Sequence, residues 1–126
     1  MVSLKRAYEP ASISDGRRFL VERLWPRGVK KDSLHIAGWL KEVAPSTNLR
    51  KWFSHDPDKW NEFRHRYFVE LDAHRDALQP LLDAARQDEV TLVYSSHDQE
   101  HNNAVALKEY LESELSQVHA HRTRAA

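Results

Sequence analysis

The chain has 126 residues, 40% apolar and 30% charged, with 19 basic and 19 acidic side chains, which describes one globular domain large enough for a single core. The absence of cysteine excludes thiol catalysis, disulfides and cysteine-ligated zinc. No apolar run reaches the roughly 18 residues needed to span a bilayer, and residues 1–10, with Lys5, Arg6 and Glu9, lack the apolar stretch of a signal peptide, so a soluble, cytoplasmic protein without a membrane partner is expected.

Leu4 to Tyr8 is a short strand candidate, ended by Pro10 and the turn pair Asp15-Gly16. Phe19 to Trp25 is a second, nearly continuous in apolar and aromatic residues and stopped by Pro26 and Gly28. The period then changes. Ile36, Trp39, Leu40 and Val43 share one helical stripe, which predicts a helix capped by Asp32 or Ser33 and stopped by Pro45. Ser46 can cap a short helix carrying Leu49, Trp52 and Phe53. Asp56-Pro57 then pairs a cap with a proline at the first helical position, and Trp60, Phe63, Tyr67 and Leu71 continue as a long amphipathic helix. Pro80 should kink that pattern or restart it before Leu81.

Val90 to Tyr94 is short, β-branched and apolar on both faces, as a strand buried in a parallel sheet requires. A final helix from about Asn103 buries Val105, Leu107, Tyr110, Leu111 and Leu115. Residues 1–117 therefore form one α/β domain with a small, largely parallel sheet flanked by helices, and residues 118–126 a flexible tail. The segments 19–24 and 90–95 should be parallel neighbours, joined by the long helical crossover between them.

Ligands of open α/β sheets bind beyond the carboxyl ends of the strands. Two loops meet that description, Trp25-Pro26-Arg27-Gly28 and Ser95 through Asn103. Here the chain resembles a known family. Asp15-Gly16 with Phe19 through Gly28 is similar to its signature DGxRxLVDRLWPRG. Lys41 through Ser46 and Leu49 through Phe53 are similar to KExAPSxxLRKWF, and Thr91 through Tyr94 with His101 through Ala104 to TLLYAAKDxxHNNA. Over residues 2–115 the chain resembles the YeaO-like branch of the family called domain of unknown function 488. The resemblance implies a Rossmann-like fold and no agreed activity. The family's other branch ends its last strand in CAEKDxxHCHR, and the cysteines, glutamate and arginine of that pattern have no counterpart here. The resemblance thus implies a lineage that keeps a pocket and lacks that catalytic set. Glu22 stands where close relatives show Asp.

Arg23 and Arg27 carry the planar fork that suits phosphate or carboxylate, with Trp25 between them. Arg23 can instead pair with Glu22 or Glu70. Lys41, Ser46, Arg50 and Lys51 extend the positive charge, and residues 1–66 hold 14 basic against 8 acidic side chains. Either an anion site or a solvated basic face accounts for this. Ser96, Asn102 and Asn103 supply polar groups beside a helix N-terminus, which favours anions. Trp39, Trp52 and Trp60 have core spacing. His97 and His101 lack a third ligand, so no metal and no cofactor is expected. Asp98 and His101 are the weak catalytic candidates, and Asp98 reads equally as a turn residue. These readings favour a binding module for a phosphate-bearing ligand, a nucleotide or nucleic-acid end, contacted by Arg23, Trp25, Arg27, Arg50, Ser96, Asn102 and Asn103. A hydrolase using Asp98 with a histidine and a protein-interaction domain are the rivals. Oligomeric state leaves no mark on the sequence.

Overall fold

Four strands, β1 (Val2–Arg6), β2 (Arg17–Leu20), β3 (Gly38–Trp39) and β4 (Val90–Tyr94), lie parallel in the order β1-β4-β2-β3. These come from a computed structural model that describes residues 1–125, with side chains through Gln117. The tail expected over 118–126 lies outside the described side chains. The helices are α1 (Lys31–Leu34), α2 (Thr47–Phe53), α3 (Trp60–Ala73), α4 (Arg75–Gln87) and α5 (Asn103–Ala125). No helix among the described residues is long and apolar enough to cross a membrane.

Period-two alternation sorts the strand residues onto two faces. Val2, Phe19, Val21, Val90, Leu92 and Tyr94 join the main core against α2, α3, α4 and α5. Ala7, Leu20 and Val93 face the other way, under Leu34 of α1 with Trp25, Val29, Ile36 and Trp39. That face is completed by a buried ionic cluster. Asp15 accepts from Arg18 at 2.7 Å and from Lys5 at 3.0 Å, and Thr91 donates to the Asp15 carbonyl. All five residues of β4 are buried, which explains why four of them are apolar and why the hydroxyl of the fifth, Thr91, is hydrogen-bonded.

The expected parallel pairing of the second and last strands is present, in the register Phe19↔Leu92 and Leu20↔Val93. Strand limits move. The first strand begins at Val2 rather than Leu4 and ends at Arg6, and β2 ends at Leu20 although the apolar run continues to Trp25. Beyond Val21 the chain leaves the ladder, and Glu22 bonds Ser95 through its side chain.

The helix predicted over 33–43 does not form. α1 stops at His35, which sits in the left-handed region at φ 51, and the chain then adds β3 to the sheet edge. Ala37 donates to the Arg18 carbonyl and Leu40 to that of Leu20. Edge pairing outweighed the helical stripe, since Ile36 and Trp39 cover the second sheet face equally well from an extended segment, beside Trp25. The cap proposed at Asp32 or Ser33 goes with it, the residue before α1 being Lys30.

Ser46 caps α2 by accepting from the Leu49 amide, and Asp56-Pro57 opens a 3-10 turn that leads into α3. The break assigned to Pro80 falls earlier, at His74 between α3 and α4, and Pro80 lies inside α4. Buried Leu78, Leu81, Leu82 and Ala85 hold that helix across the missing amide. In α5, Leu107, Tyr110 and Leu111 are buried as expected, while Val105 and Leu115 are only partly so.

Candidate functional site

Two peptide segments leave the sheet side by side at the carboxyl ends of β2 and β4, and a cavity of about 350 Å³ opens between them. The first segment is the turn Pro26-Arg27-Gly28-Val29. Val29 donates to the Pro26 carbonyl, and Gly28 takes φ 78, a value that side chains resist. Three contacts hold this turn. The Trp25 indole donates to the Val29 carbonyl at 2.6 Å, Tyr8 donates its hydroxyl to the Arg27 carbonyl at 3.0 Å, and Trp39 packs edge-on against Trp25 while donating to the Glu22 carbonyl. The tryptophan-rich motif thus presents Arg27 on a braced loop.

The second segment runs from Ser95 into α5. Arg6 ties it to the sheet by donating to the Ser96 carbonyl at 2.9 Å. Asp98 Oδ1 accepts from the amides of Glu100 and His101, both at 2.9 Å, and these bonds hold its carboxyl below the usual carboxylate range. Asp98 is therefore the turn residue of its blander reading. Its second oxygen meets His101 Nδ1 at 3.0 Å, and because an ionised carboxylate only accepts, that nitrogen carries the proton. Asn102 caps α5 through the Val105 amide, and Asn103 donates to the Val21 carbonyl, which links α5 to the end of β2.

All seven ligand-site candidates, Arg23, Trp25, Arg27, Arg50, Ser96, Asn102 and Asn103, line this one cavity. They differ in what they have left to offer. Arg23 donates to the carbonyls of Pro45 at 2.8 Å and Ala44 at 3.4 Å, not to Glu22 or Glu70, and keeps its remaining N–H groups. Glu70 is taken by the Ser46 amide and hydroxyl. Arg27 and Arg50 are exposed and make no side-chain hydrogen bond or ion pair among the described residues. Of the catalytic candidates His101 lines the cavity, packed edge-on against Trp60, whereas Asp98 is not part of its lining and reaches it only through its bond to His101.

Other expectations do not meet here. Lys41 lies over the Trp39 ring, and neither Lys41 nor Lys51 lines the cavity, so Arg50 alone represents the basic segment. His97 accepts from Arg6 while His101 bonds Asp98, so the two histidines serve different partners. Among the described residues no group of three or more His, Asp or Glu is placed to hold a metal ion. Trp52 and Trp60 pack partly buried against the main core and Trp39 against the second face.

Sequence reasoning missed Glu22 and His55 as cavity residues. The Glu22 carboxylate accepts from the Ser95 amide at 2.6 Å and from its hydroxyl at 3.0–3.1 Å. Burial raises its pKa, opposed by those bonds and by the nearby charges of Arg50 and His55. Sequence reasoning placed it inside the strand run Phe19 to Trp25, whereas β2 ends at Leu20 and leaves Glu22 beyond the ladder. His55 enters because Ser54 and His55 both adopt left-handed backbone after α2, for which the sequence holds no cue. With three arginines against one glutamate, the lining is net positive.

Residues 1–126 match the family model described as the inactive DUF488-N3 subclade. The chain is 43% identical over 112 residues to the uncharacterised protein YeaO of Escherichia coli K12, an alignment covering 89% of this chain and 97% of that one. It is 46% identical over 70 residues to the uncharacterised proteins Rv3073c of Mycobacterium tuberculosis and Mb3100c of Mycobacterium bovis, covering 56% of this chain and 59% of each of those. No solved structure matches the chain.

Proposed function

The chain belongs to the inactive DUF488-N3 subclade, whose named relatives are uncharacterised, and on that premise we propose that it is a binding module for a phosphate-bearing ligand, a nucleotide or a nucleic-acid end, held at the carboxyl ends of β2 and β4. One observation carries the reading. Arg27 and Arg50 line the cavity and form no ion pair among the described residues, and guanidinium groups whose donors are not already taken are what a bidentate anion contact needs. The size agrees, since about 350 Å³ lies near the lower end of small-molecule sites, roughly 300–1,000 Å³. Phe53 and Phe63 give the floor an apolar surface, and the braced Trp25–Val29 turn keeps Arg27 in place before a ligand arrives.

A thermal-shift titration against a panel of nucleotides tests this. Phosphate-bearing ligands should raise the melting temperature of the wild type, and Arg27→Ala should remove most of the shift. The enzymatic alternative rests on the His101–Asp98 pair beside the same cavity. It requires Asp98→Ala to abolish turnover of some substrate with binding nearly intact. The anion reading requires Asp98→Ala to leave the ligand-induced shift in place, because that carboxylate does not line the cavity. Salt-insensitive binding that survives Arg27→Ala would favour a protein partner over either.

A further inference from the structure

An anion site lined by a carboxylate presents a conflict that a bare anion cannot resolve. Glu22 sits on the wall shared with Arg27 and Arg50, where it repels any negative group those arginines attract. Its acceptor capacity is also incompletely filled. A carboxylate offers about four lone-pair sites. Glu22 receives one amide, and one hydroxyl shared between both of its oxygens, all from Ser95. Neither Arg50 nor His55, the basic side chains near enough to act on it, forms a hydrogen bond or ion pair with it. The group is held by Ser95, faces the cavity, and has room for further donors.

We propose that Glu22 is a specificity residue that accepts hydrogen bonds from hydroxyl groups of the ligand, so that the cavity selects hydroxyl-bearing phosphate esters, sugar phosphates or nucleotides, over inorganic phosphate. This rests on the anion reading above and narrows it. The phosphate meets Arg27 and Arg50, and the ester's hydroxyls satisfy the carboxylate that would otherwise oppose binding. Ser95 fixes the carboxylate in advance, so little order is lost when a ligand arrives. An Asp here, one methylene shorter, would reach less far into the cavity from the same strand end.

Calorimetric titration of the full chain with ribose 5-phosphate and with inorganic phosphate reads the selectivity. The wild type should bind ribose 5-phosphate at least about tenfold more tightly, as expected for a hydroxyl bonded to a charged acceptor. Glu22→Gln keeps an oxygen for the Ser95 amide but loses the charge. It should weaken the sugar phosphate and tighten inorganic phosphate, closing the gap to within about threefold. An unchanged ratio in Glu22→Gln, or no preference in the wild type, would overturn the proposal. AMP against 2′,3′-dideoxyadenosine 5′-monophosphate in the wild type needs no variant, so the test survives if Glu22→Gln fails to fold. Equal binding of those two nucleotides, where both bind, assigns the hydroxyl contact to free sugar phosphates if ribose 5-phosphate keeps its advantage, and rejects it if not. Failure of the anion reading looks different: Arg27→Ala would then bind inorganic phosphate as well as the wild type does.

Discussion

Replacing Arg23 by alanine is expected to destabilise the protein, whereas replacing Arg27, four residues along the same motif, is not. Arg23 is half-buried and donates through Nε to the Pro45 carbonyl at 2.8 Å and through Nη2 to the Ala44 carbonyl at 3.4 Å. The first is a good charge-assisted bond and the second is long enough to count for little. Hydrogen bonds from charged groups contribute about 1.5–3 kcal/mol, and partial exposure places this one near the lower end, about 1.5–2 kcal/mol. The segment does not detach when Arg23 is lost, because Tyr67 donates to the Val43 carbonyl and Glu70 holds Ser46 from the other side. For a domain of this size a loss of that order lowers the melting temperature by roughly 5–10 °C. Arg27 is exposed and its side chain has no partner among the described residues, so Arg27→Ala should stay within about 0.5 kcal/mol of the wild type. Urea unfolding of both variants near neutral pH measures the difference. Equal stability of the two, or a loss above about 1 kcal/mol in Arg27→Ala, would refute the assignment of Arg23 to the scaffold and Arg27 to the ligand.

Three further outcomes follow from the same geometry. Asp15→Asn should cost about 3–5 kcal/mol near neutral pH, because Arg18, only 4% exposed, is left with an uncompensated charge. Burial works to raise the Asp15 pKa, yet the Ser12 amide, Lys5 and Arg18 together hold it below the ordinary value. Its contribution is thus full above the ordinary aspartate range and is lost as pH falls through the lowered folded value, so acid unfolding of the wild type should be steeper than that of Asp15→Asn. Gly16→Ala should cost more than about 2 kcal/mol in equilibrium unfolding, since a Cβ there would lie 2.3 Å from the Glu89 carbonyl oxygen at φ +63. Asp98→Ala should lose about 1 kcal/mol through the amides it caps before α5, with phosphate affinity unchanged or slightly higher.

Local chemistry was legible where one residue type has one good solution. Ser46 and Asp56-Pro57 cap helices, Gly28 ends the turn after the second strand, and a run of five buried residues, four of them apolar, marks β4, all from side-chain properties that neighbours do not change. The parallel pairing of β2 and β4 followed from the helical crossover between them, and with it the placement of both candidate loops at one end of the sheet. Segment 33–43 defeated the same reasoning because its stripe of Ile36, Trp39, Leu40 and Val43 is decided by a long-range partner, the open edge of β2. Arg23, Arg27 and Arg50 were equivalent as letters. Their difference lies in which carbonyls are near, Ala44 and Pro45 having been brought beside Arg23 by a chain reversal more than twenty residues away. Glu22 was read inside the second strand and as a possible partner for Arg23, whereas the strand ends at Leu20 and Ser95 holds the carboxylate. His55 depends on two successive left-handed residues that no composition rule anticipates.

Calorimetric titration of a nucleoside monophosphate into the wild type and into Arg27→Ala/Arg50→Ala at low and moderate salt tests the central claim most directly. Each lost charge-assisted contact is worth about 1.5–3 kcal/mol, so the double variant should bind at least about a hundredfold more weakly, and the salt dependence of the wild type should largely vanish with it. Binding of equal strength and equal salt dependence in the two proteins would contradict an anion site between β2 and β4.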